Sequence, residues 1–362
     1  MVGCGRIVWL DSCESAKRKD FYLFQITFLG TSASAPSLHR GLSSQVLQHN
    51  EHRFLIDCGE GTQRQILHSG MGFKRLNRIL ITHGHLDHIL GLGGLISTLA
   101  RWETMDKIEI LGGRRALERI QDLLFGVVFR GVRPPIELIL KEIRPGLIYD
   151  EDDFTITSFP VSHRGADSLG FLFEEKSRRP FLPEKAEALN IPPGPWRGDL
   201  VKGKAITLPD GRKIEPDAVL GPIRLGTRFA LVGDAGRTDD LVEFVRGVDA
   251  LVIEATYMNE EAEMAEEFGH LTAHQAATLA IHAEIHHLIL THISRRYHER
   301  EVLAEAQSEF PNTCVARDFD CYQIRRGECE KIDNEQEQSV DHKKDQKPVP
   351  GRPEDGSSIL FS

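Results

Sequence analysis

The chain has 362 residues, 40% of them hydrophobic and 27% charged, with a formal net charge of −10. This gives material for one large domain or two modest ones, and no apolar run approaches the ~18 residues that a membrane helix needs. The acidic balance argues mildly against a nucleic-acid partner for the chain as a whole. Six scattered cysteines without a Cys-x-x-Cys pair read as the reduced thiols of a cytoplasmic protein.

Residues 1–22 carry no clear pattern and no signal-peptide core, and are set apart as an N-terminal extension. Phe24–Gly30 alternates like a first strand, followed by a loop of small residues, 31–37. Residues 43–48 and 53–56 read as a hairpin that runs into a glycine-punctuated turn, 57–63. Ile79, Leu80 and Ile81 then form a short apolar run, a buried strand, directly before Thr82-His83-Gly84-His85-Leu86-Asp87-His88. Beyond it Leu92, Leu95, Ile96 and Leu99 recur at helical spacing. Four candidate metal ligands thus sit between a strand and a helix. His83 and His85, two apart, project to one side of the loop. Asp87 and His88 open the helix and point elsewhere, so this one segment can serve two neighbouring metals. Imidazole with carboxylate suits zinc or a similar borderline metal.

Further on, residues 108–111 read as a strand, 114–129 as a helix and 136–161 as several strands that end before Ser162-His163. Between 174 and 221 the core-type pattern fails and seven prolines intervene. A long segment of this kind inside a domain is usually functional. Residues 176–213 hold nine bases and four acids, the reverse of the chain's overall sign. Core character returns with strands at 228–232, running into Gly233-Asp234, at 250–253, running into Glu254-Ala255-Thr256, and at 287–290, running into Thr291-His292. A helix is expected over 273–284. Strands alternating with helices in both halves predict a layered α/β fold with helices outside. Residues 328–362, with nine acids and five bases, are expected to be a disordered acidic tail.

A binuclear site needs more ligands than the first motif offers. His163, Asp234 and His292 share one context, a ligand-type residue directly after a buried strand. Singly, each reads more readily as a turn or cap residue; together they are the candidates for the missing ligands. His270, on a loop just before a helix, is either an ordinary surface histidine or a general acid that Glu254 orients and whose pKa it raises.

The His-x-His-x-Asp-His segment resembles the metal-binding motif of the metallo-β-lactamase superfamily. More narrowly, Phe28-Leu29-Gly30-Thr31, the 57–63 turn, Gly233-Asp234, Glu254-Ala255-Thr256 and the run 290–297 are similar to the ribonuclease Z family, over about residues 24–326. Pro193-Gly194-Pro195 and the stretch 203–212 resemble that family's flexible arm. The chain departs from the family pattern at Gly84 and Leu86, whose sizes look exchanged, and at Gly41, Ile253 and Leu271.

The resemblance implies an αββα sandwich over residues 23–327, with an inserted tRNA-binding arm at 174–221. It implies that His83, His85 and His163 hold one metal, that Asp87, His88 and His292 hold the other, and that Asp234 bridges them. The cofactors implied are two Zn2+ ions, with Mn2+ or another divalent metal as the alternative. Precursor tRNA is the implied substrate, cleaved to leave a 3′-hydroxyl on the tRNA and a 5′-phosphate on the trailer. Asp87 would assist as base, and His270, supported by Glu254, would protonate the leaving oxygen. Pro193, Gly194, Pro195, Lys202, Lys204 and Arg40 are the implied RNA contacts, and a homodimer is the implied assembly. Two other readings remain: a binuclear hydrolase of the same fold acting on a small ester, against which the basic arm speaks, and a non-catalytic RNA-binding subunit, against which the intact ligand set speaks.

Overall fold

The computed structural model describes residues 23–102, 105–165 and 167–332. Its strands are β1 (Phe24–Gly30), β2 (Ser44–His49), β3 (His52–Ile56), β4 (Arg78–Leu80), β5 (Lys107–Gly112), β6 (Glu137–Glu142), β7 (Gly146–Asp150), β8 (Phe154–Pro160), β9 (Leu169–Glu175), β10 (Ile206–Thr207), β11 (Lys213–Ile214), β12 (Arg228–Leu231), β13 (Ala250–Glu254), β14 (His287–Thr291), β15 (Thr313–Val315), β16 (Cys321–Arg325) and β17 (Glu328–Ile332). They form an eight-stranded sheet in the order β17-β16-β1-β2-β3-β4-β5-β6 and a seven-stranded sheet in the order β15-β14-β13-β12-β9-β8-β7, with β10 and β11 as a separate pair.

The inner faces of the two sheets meet over an aromatic cluster that includes Phe24, Phe28, Phe54, Phe154, Phe171, Phe173 and Phe229. Helices Gly91–Trp102 and Arg114–Gln121 cover the outer face of the first sheet through Leu92, Leu95, Leu99 and Ile120, packed on Leu55, Ile79 and Ile110. Helices Ala273–His282 and Glu299–Glu309 cover the second sheet through Ala276, Leu279, Ala280 and Val302, packed on Leu251, Ile253 and Leu288. The result is four layers, helix–sheet–sheet–helix. Strands covered on both faces lose the in–out alternation of a half-buried strand, and β13 is accordingly buried at every residue.

Topology places the ligand-bearing loops. β4 runs parallel to β3 and β5. In the second sheet β12, β13 and β14 run parallel, and β8 shares their direction through the antiparallel β9 between β8 and β12. The carboxyl ends of β8, β12, β13 and β14 therefore lie along one edge of that sheet, where the end of β4 meets them. Carboxyl ends of neighbouring strands are where α/β sheets leave room for ligands.

Two expectations are corrected. The segment 174–221 does not lack a core pattern. It opens with the end of β9, then forms helices Pro183–Ala188 and Pro195–Val201 and the β10–β11 pair around a cluster of its own: Ala186, Ile191, Leu200, Ile206, Leu208, Ile214 and Val219. A stem of paired backbone, Arg178 with Arg224 and Phe181 with Leu220, carries this module. The acidic tail does not begin at 328, because β17 pairs with β16 along its whole length. The expected N-terminal extension, 1–22, and residues 333–362 lie outside the described residues.

Candidate metal centre

His83 follows β4 by three residues, His85 caps the short helix Leu86–Ile89, and Asp87 and His88 lie inside that helix. The turn is seated by close backbone approach. Gly91 donates its N–H to the Cys58 carbonyl, and a Cβ on Gly91 would lie 2.0 Å from the Gly59 oxygen, so no side chain fits there. His163, Asp234 and His292 each follow a strand of the second sheet, and Glu254 is the last residue of β13. His270 lies in the turn between helices Ala262–Phe268 and Ala273–His282.

These side chains converge on Asp234. Its Oδ2 lies 3.6 Å from His83 Nε2 and 3.7 Å from His163 Nε2. Its Oδ1 lies 3.3 Å from His88 Nε2 and 3.4 Å from His292 Nε2. One carboxylate thus faces two imidazole sets, one on each oxygen. His85 joins the first set, its Nδ1 3.2 Å from His163 Nε2. Asp87 joins the second, with Oδ2 3.4 Å from His292 Nε2 and 3.8 Å from His88 Nε2. The donor atoms of His83, His85, His163 and Asp234 all lie within 4.8 Å of one another, as do those of Asp87, His88 and His292. A third such group, Asp234, His270 and His292, overlaps both.

The remote imidazole nitrogens are held by the protein. Asp57 takes His88 Nδ1 at 2.8 Å and also accepts the Thr82 N–H and hydroxyl. Thr82 Oγ1 is 3.1 Å from His83 Nδ1, the Gly269 carbonyl accepts His163 Nδ1 at 2.6 Å, and Thr256 Oγ1 is 2.9 Å from His292 Nδ1. Such outer partners fix ring orientation and leave Nε2 free for a metal. Asp57 and His292 both hold left-handed backbone, φ 55°, a conformation non-glycine residues adopt at a cost of roughly 1–3 kcal/mol. Sequence reasoning noticed Asp57 only as part of a turn and gave Thr82 and Thr256 no role. The available signal was position: Thr82 abuts His83, and Thr256 lies two residues past Glu254.

Three atoms, His83 Nε2, His88 Nε2 and Asp234 Oδ1, are buried without a hydrogen-bond partner. Each unpartnered buried polar atom costs about 1–3 kcal/mol. A cation between the imidazoles and the carboxylate supplies the missing partner, and nitrogen and oxygen donors in this number fit a divalent metal. The electrostatics differ from ring to ring. Burial and the neighbouring His88 push His83 well below the ordinary imidazole value. Burial works against charge on His88 too, but Asp234 and Asp57 outweigh it and hold that ring well above the ordinary value. Burial opposes ionisation of Asp234, but His292, His88 and His83 keep it well below the usual carboxylate range.

His270 differs from the ligands. Its Nδ1 lies 3.0 and 3.1 Å from the two oxygens of the fully buried Glu254, which also accepts the Ala235 N–H. Burial lowers the pKa of His270, but the Glu254 charge and hydrogen bond overcome this and raise it to about 9.

Of the expected RNA contacts, Pro193, Gly194, Pro195, Lys202 and Lys204 are exposed on the arm, at the start of helix Pro195–Val201 and just beyond its end. Arg40 is placed otherwise. Its guanidinium donates to Thr31 Oγ1, the Ala316 carbonyl and Glu299, stapling the 31–41 loop to the end of the second sheet. That loop in turn gives the Ser34 N–H to Asp87 Oδ2 at 3.0 Å. Four of the departures from the family pattern, at Gly84, Leu86, Ile253 and Leu271, can be placed. A Cβ on Gly84 would lie 2.8 Å from the Cα of Ala116, whereas Leu86 is 56% exposed. Ile253 and Leu271 both lie in the apolar layer behind Glu254 and His270.

Comparison with known proteins bears on this centre. A family model described as anti-Pycsar protein Apyc1 matches residues 24–177. The chain is 46% identical to the ribonuclease Z of Bradyrhizobium diazoefficiens over 298 residues, 82% of this chain and 99% of that protein. The crystal structure of the short form of human tRNase Z superposes with a TM-score of 0.59 at 25% identity, covering 83% of this chain and 99% of that one. The metallo-β-lactamase fold protein YhfI of Bacillus subtilis superposes with a TM-score of 0.60 at 16% identity, over 83% and 99%. The α/β sandwich expected from the sequence is thus the metallo-β-lactamase fold.

Proposed function

The chain belongs to the ribonuclease Z family, and on that footing we propose that it is a zinc-dependent endoribonuclease that removes the 3′ trailer from precursor tRNA. The observation that carries the reading is the two-sided placement of Asp234 between two donor sets, with the His270–Glu254 pair beside it. His83, His85 and His163 would hold one zinc, Asp87, His88 and His292 the other, and Asp234 both. Bound there, the two ions supply a water of lowered pKa and a clamp on the oxygens of an in-line displacement.

The rest is done by side chains. Asp87, kept ionised against burial by its bond to His292 and the nearby imidazoles, is placed to accept the proton of the attacking water. His270, held protonated by Glu254, gives its proton to the leaving 3′-oxygen. The products are a tRNA ending in a 3′-hydroxyl and a trailer with a 5′-phosphate. The module within 174–221 is the tRNA-binding arm, with Pro193, Gly194, Pro195, Lys202 and Lys204 on its outer surface, and its excess of cations supplies the phosphate affinity that the acidic body lacks. Arg40 serves the same RNA end indirectly, by holding the loop that contacts Asp87. We place the enzyme in the cytoplasm as a homodimer; among the described residues no helix is long and apolar enough to cross a membrane.

The test is cleavage of an end-labelled precursor tRNA by the zinc-loaded chain, with the cut mapped to the nucleotide and both new ends identified. Cutting at the 3′ end of the mature tRNA with the stated termini is expected. Hydrolysis of bis(p-nitrophenyl) phosphate without cleavage of the precursor would instead indicate a small-ester hydrolase. Binding without any hydrolysis would indicate an RNA-binding subunit.

A further inference from the structure

The turn that delivers His270 begins with an aromatic side chain the proposed chemistry does not use. Phe268 is 37% exposed and takes no part in the hydrophobic clusters among the described residues. The guanidinium of Arg164 lies over its ring, 5.1 Å from the centroid. Both residues are locked to the centre. Arg164 directly follows the ligand His163, whose ring donates to the carbonyl of Gly269, and Arg164 Nη2 reaches the Glu267 carbonyl at 3.4 Å. Gly269 holds left-handed backbone, φ 65°, and a Cβ there would lie 2.9 Å from Arg164 Cγ, so the stack depends on glycine between Phe268 and His270.

Arg164, with Glu267 and Gly269 on either side of Phe268, lines an open groove of about 500 Å³ that also takes in His163 and Arg237. Arg237 is already committed to Ser162 and Asp240. Glu266 and Glu267 line the same groove. Two carboxylates make it a poor seat for a phosphate but do not disfavour a neutral ring. An aromatic ring with a guanidinium over it is the kind of planar surface on which proteins stack unpaired nucleobases.

We propose that Arg164 and Phe268 form a shelf on which the nucleobase on the 5′ side of the scissile phosphate stacks. The side follows from the proposed role of His270, two residues on: the acid serves the leaving 3′-oxygen, and that oxygen belongs to the nucleotide 5′ of the cut. The inference rests on the precursor-tRNA reading and adds to it a seat for the last base of the tRNA. A stacked base there fixes the sugar that carries the leaving oxygen against the acid.

The experiment crosses two changes. Full-length wild type and Phe268→Ala are each given precursor tRNA that is intact or abasic at the nucleotide 5′ of the cut. Every kcat/KM is divided by that of the same preparation on bis(p-nitrophenyl) phosphate, so that loss through misfolding cancels. On intact RNA, Phe268→Ala is expected to lose about 10-fold, the usual worth of one base stack. On abasic RNA the two proteins are expected to agree within about two-fold, and Phe268→Tyr, which keeps the ring, to restore the intact-RNA rate. Equal losses on both RNAs, or a loss that depends instead on the base 3′ of the phosphate, overturn the shelf while leaving the function standing. Failure of wild type to cut the intact precursor overturns both.

Discussion

The metal centre and the inserted arm solve opposite problems. At the centre, polar atoms are gathered where water is excluded. Four of the five proposed ligand histidines have their second nitrogen held by Asp57, Thr82, Thr256 or the Gly269 carbonyl, and the atoms left over all point at one volume. In the arm the polar atoms face outward and an apolar cluster holds the module together behind them. The centre is a preorganised charge site with little freedom to drift. The arm packs around a core of its own on a stem of paired backbone, free to carry cations at its surface. The difference teaches that the proposed bond-breaking and substrate-gripping parts of this chain should answer to different perturbations, so that each can be disturbed alone.

The strongest disturbance is at Asp234. Asp234→Ala removes the one group facing both donor sets, so hydrolysis of precursor tRNA and of bis(p-nitrophenyl) phosphate should both vanish and metal content fall below the expected two ions per chain. A variant that keeps full activity would break the two-metal half of the comparison. Next comes His270→Ala, which should lose roughly 10²–10⁴-fold in rate while retaining metal. Loss of metal would make His270 a ligand, as its grouping with Asp234 and His292 allows.

The same residue sets the pH behaviour. Its raised pKa means that the proton is present at neutral pH and lost as pH climbs toward about 9, so activity should fall on the alkaline side. The proposed metal ions, once bound, would oppose that charge and bring the fall to lower pH. Glu254→Gln removes the group that raises the pKa, so the alkaline limb should move lower still; a pH–rate profile with no such shift would separate Glu254 from the acid.

The weakest effect on chemistry, and the sharpest on the comparison, is replacement of residues 176–213 by a short Gly/Ser linker. Precursor cleavage should drop by on the order of 10²-fold as phosphate contacts are lost. The small diester should be hydrolysed at close to the wild-type rate. Binding of precursor by the intact protein should weaken steeply with salt, while small-diester turnover should not.

The side chains that cluster around Asp234 were legible because the 83–88 segment follows the apolar run of β4, and His163, Asp234 and His292 follow β8, β12 and β14. The partners behind them were not. Asp57, Thr82 and Thr256 act through hydrogen bonds between the ends of strands that are neighbours in one sheet, Asp57 after β3 with His88 after β4 and Thr256 after β13 with His292 after β14, and that strand order is not written in the local sequence. The arm's cluster was missed because its seven apolar residues spread from Ala186 to Val219 with no period, interrupted by prolines that read as breaks. β17 was missed for another reason. None of its residues is buried, and it is held by backbone pairing to β16, which leaves no hydrophobic signature.

β1 lies between β2 and β16, so Phe24 finds its partner Ile324 three hundred residues later. During synthesis the first strand emerges early, can pair at once only with the hairpin that follows it, and keeps a bare edge of amide and carbonyl groups until almost all of the described chain has been made. A bare edge invites pairing with other chains, and so distant a contact closes slowly because its loop entropy must be overcome first. Assembly of the first sheet is therefore a late event in the life of each nascent molecule, and the interval before β16 arrives is when chaperones matter most to it.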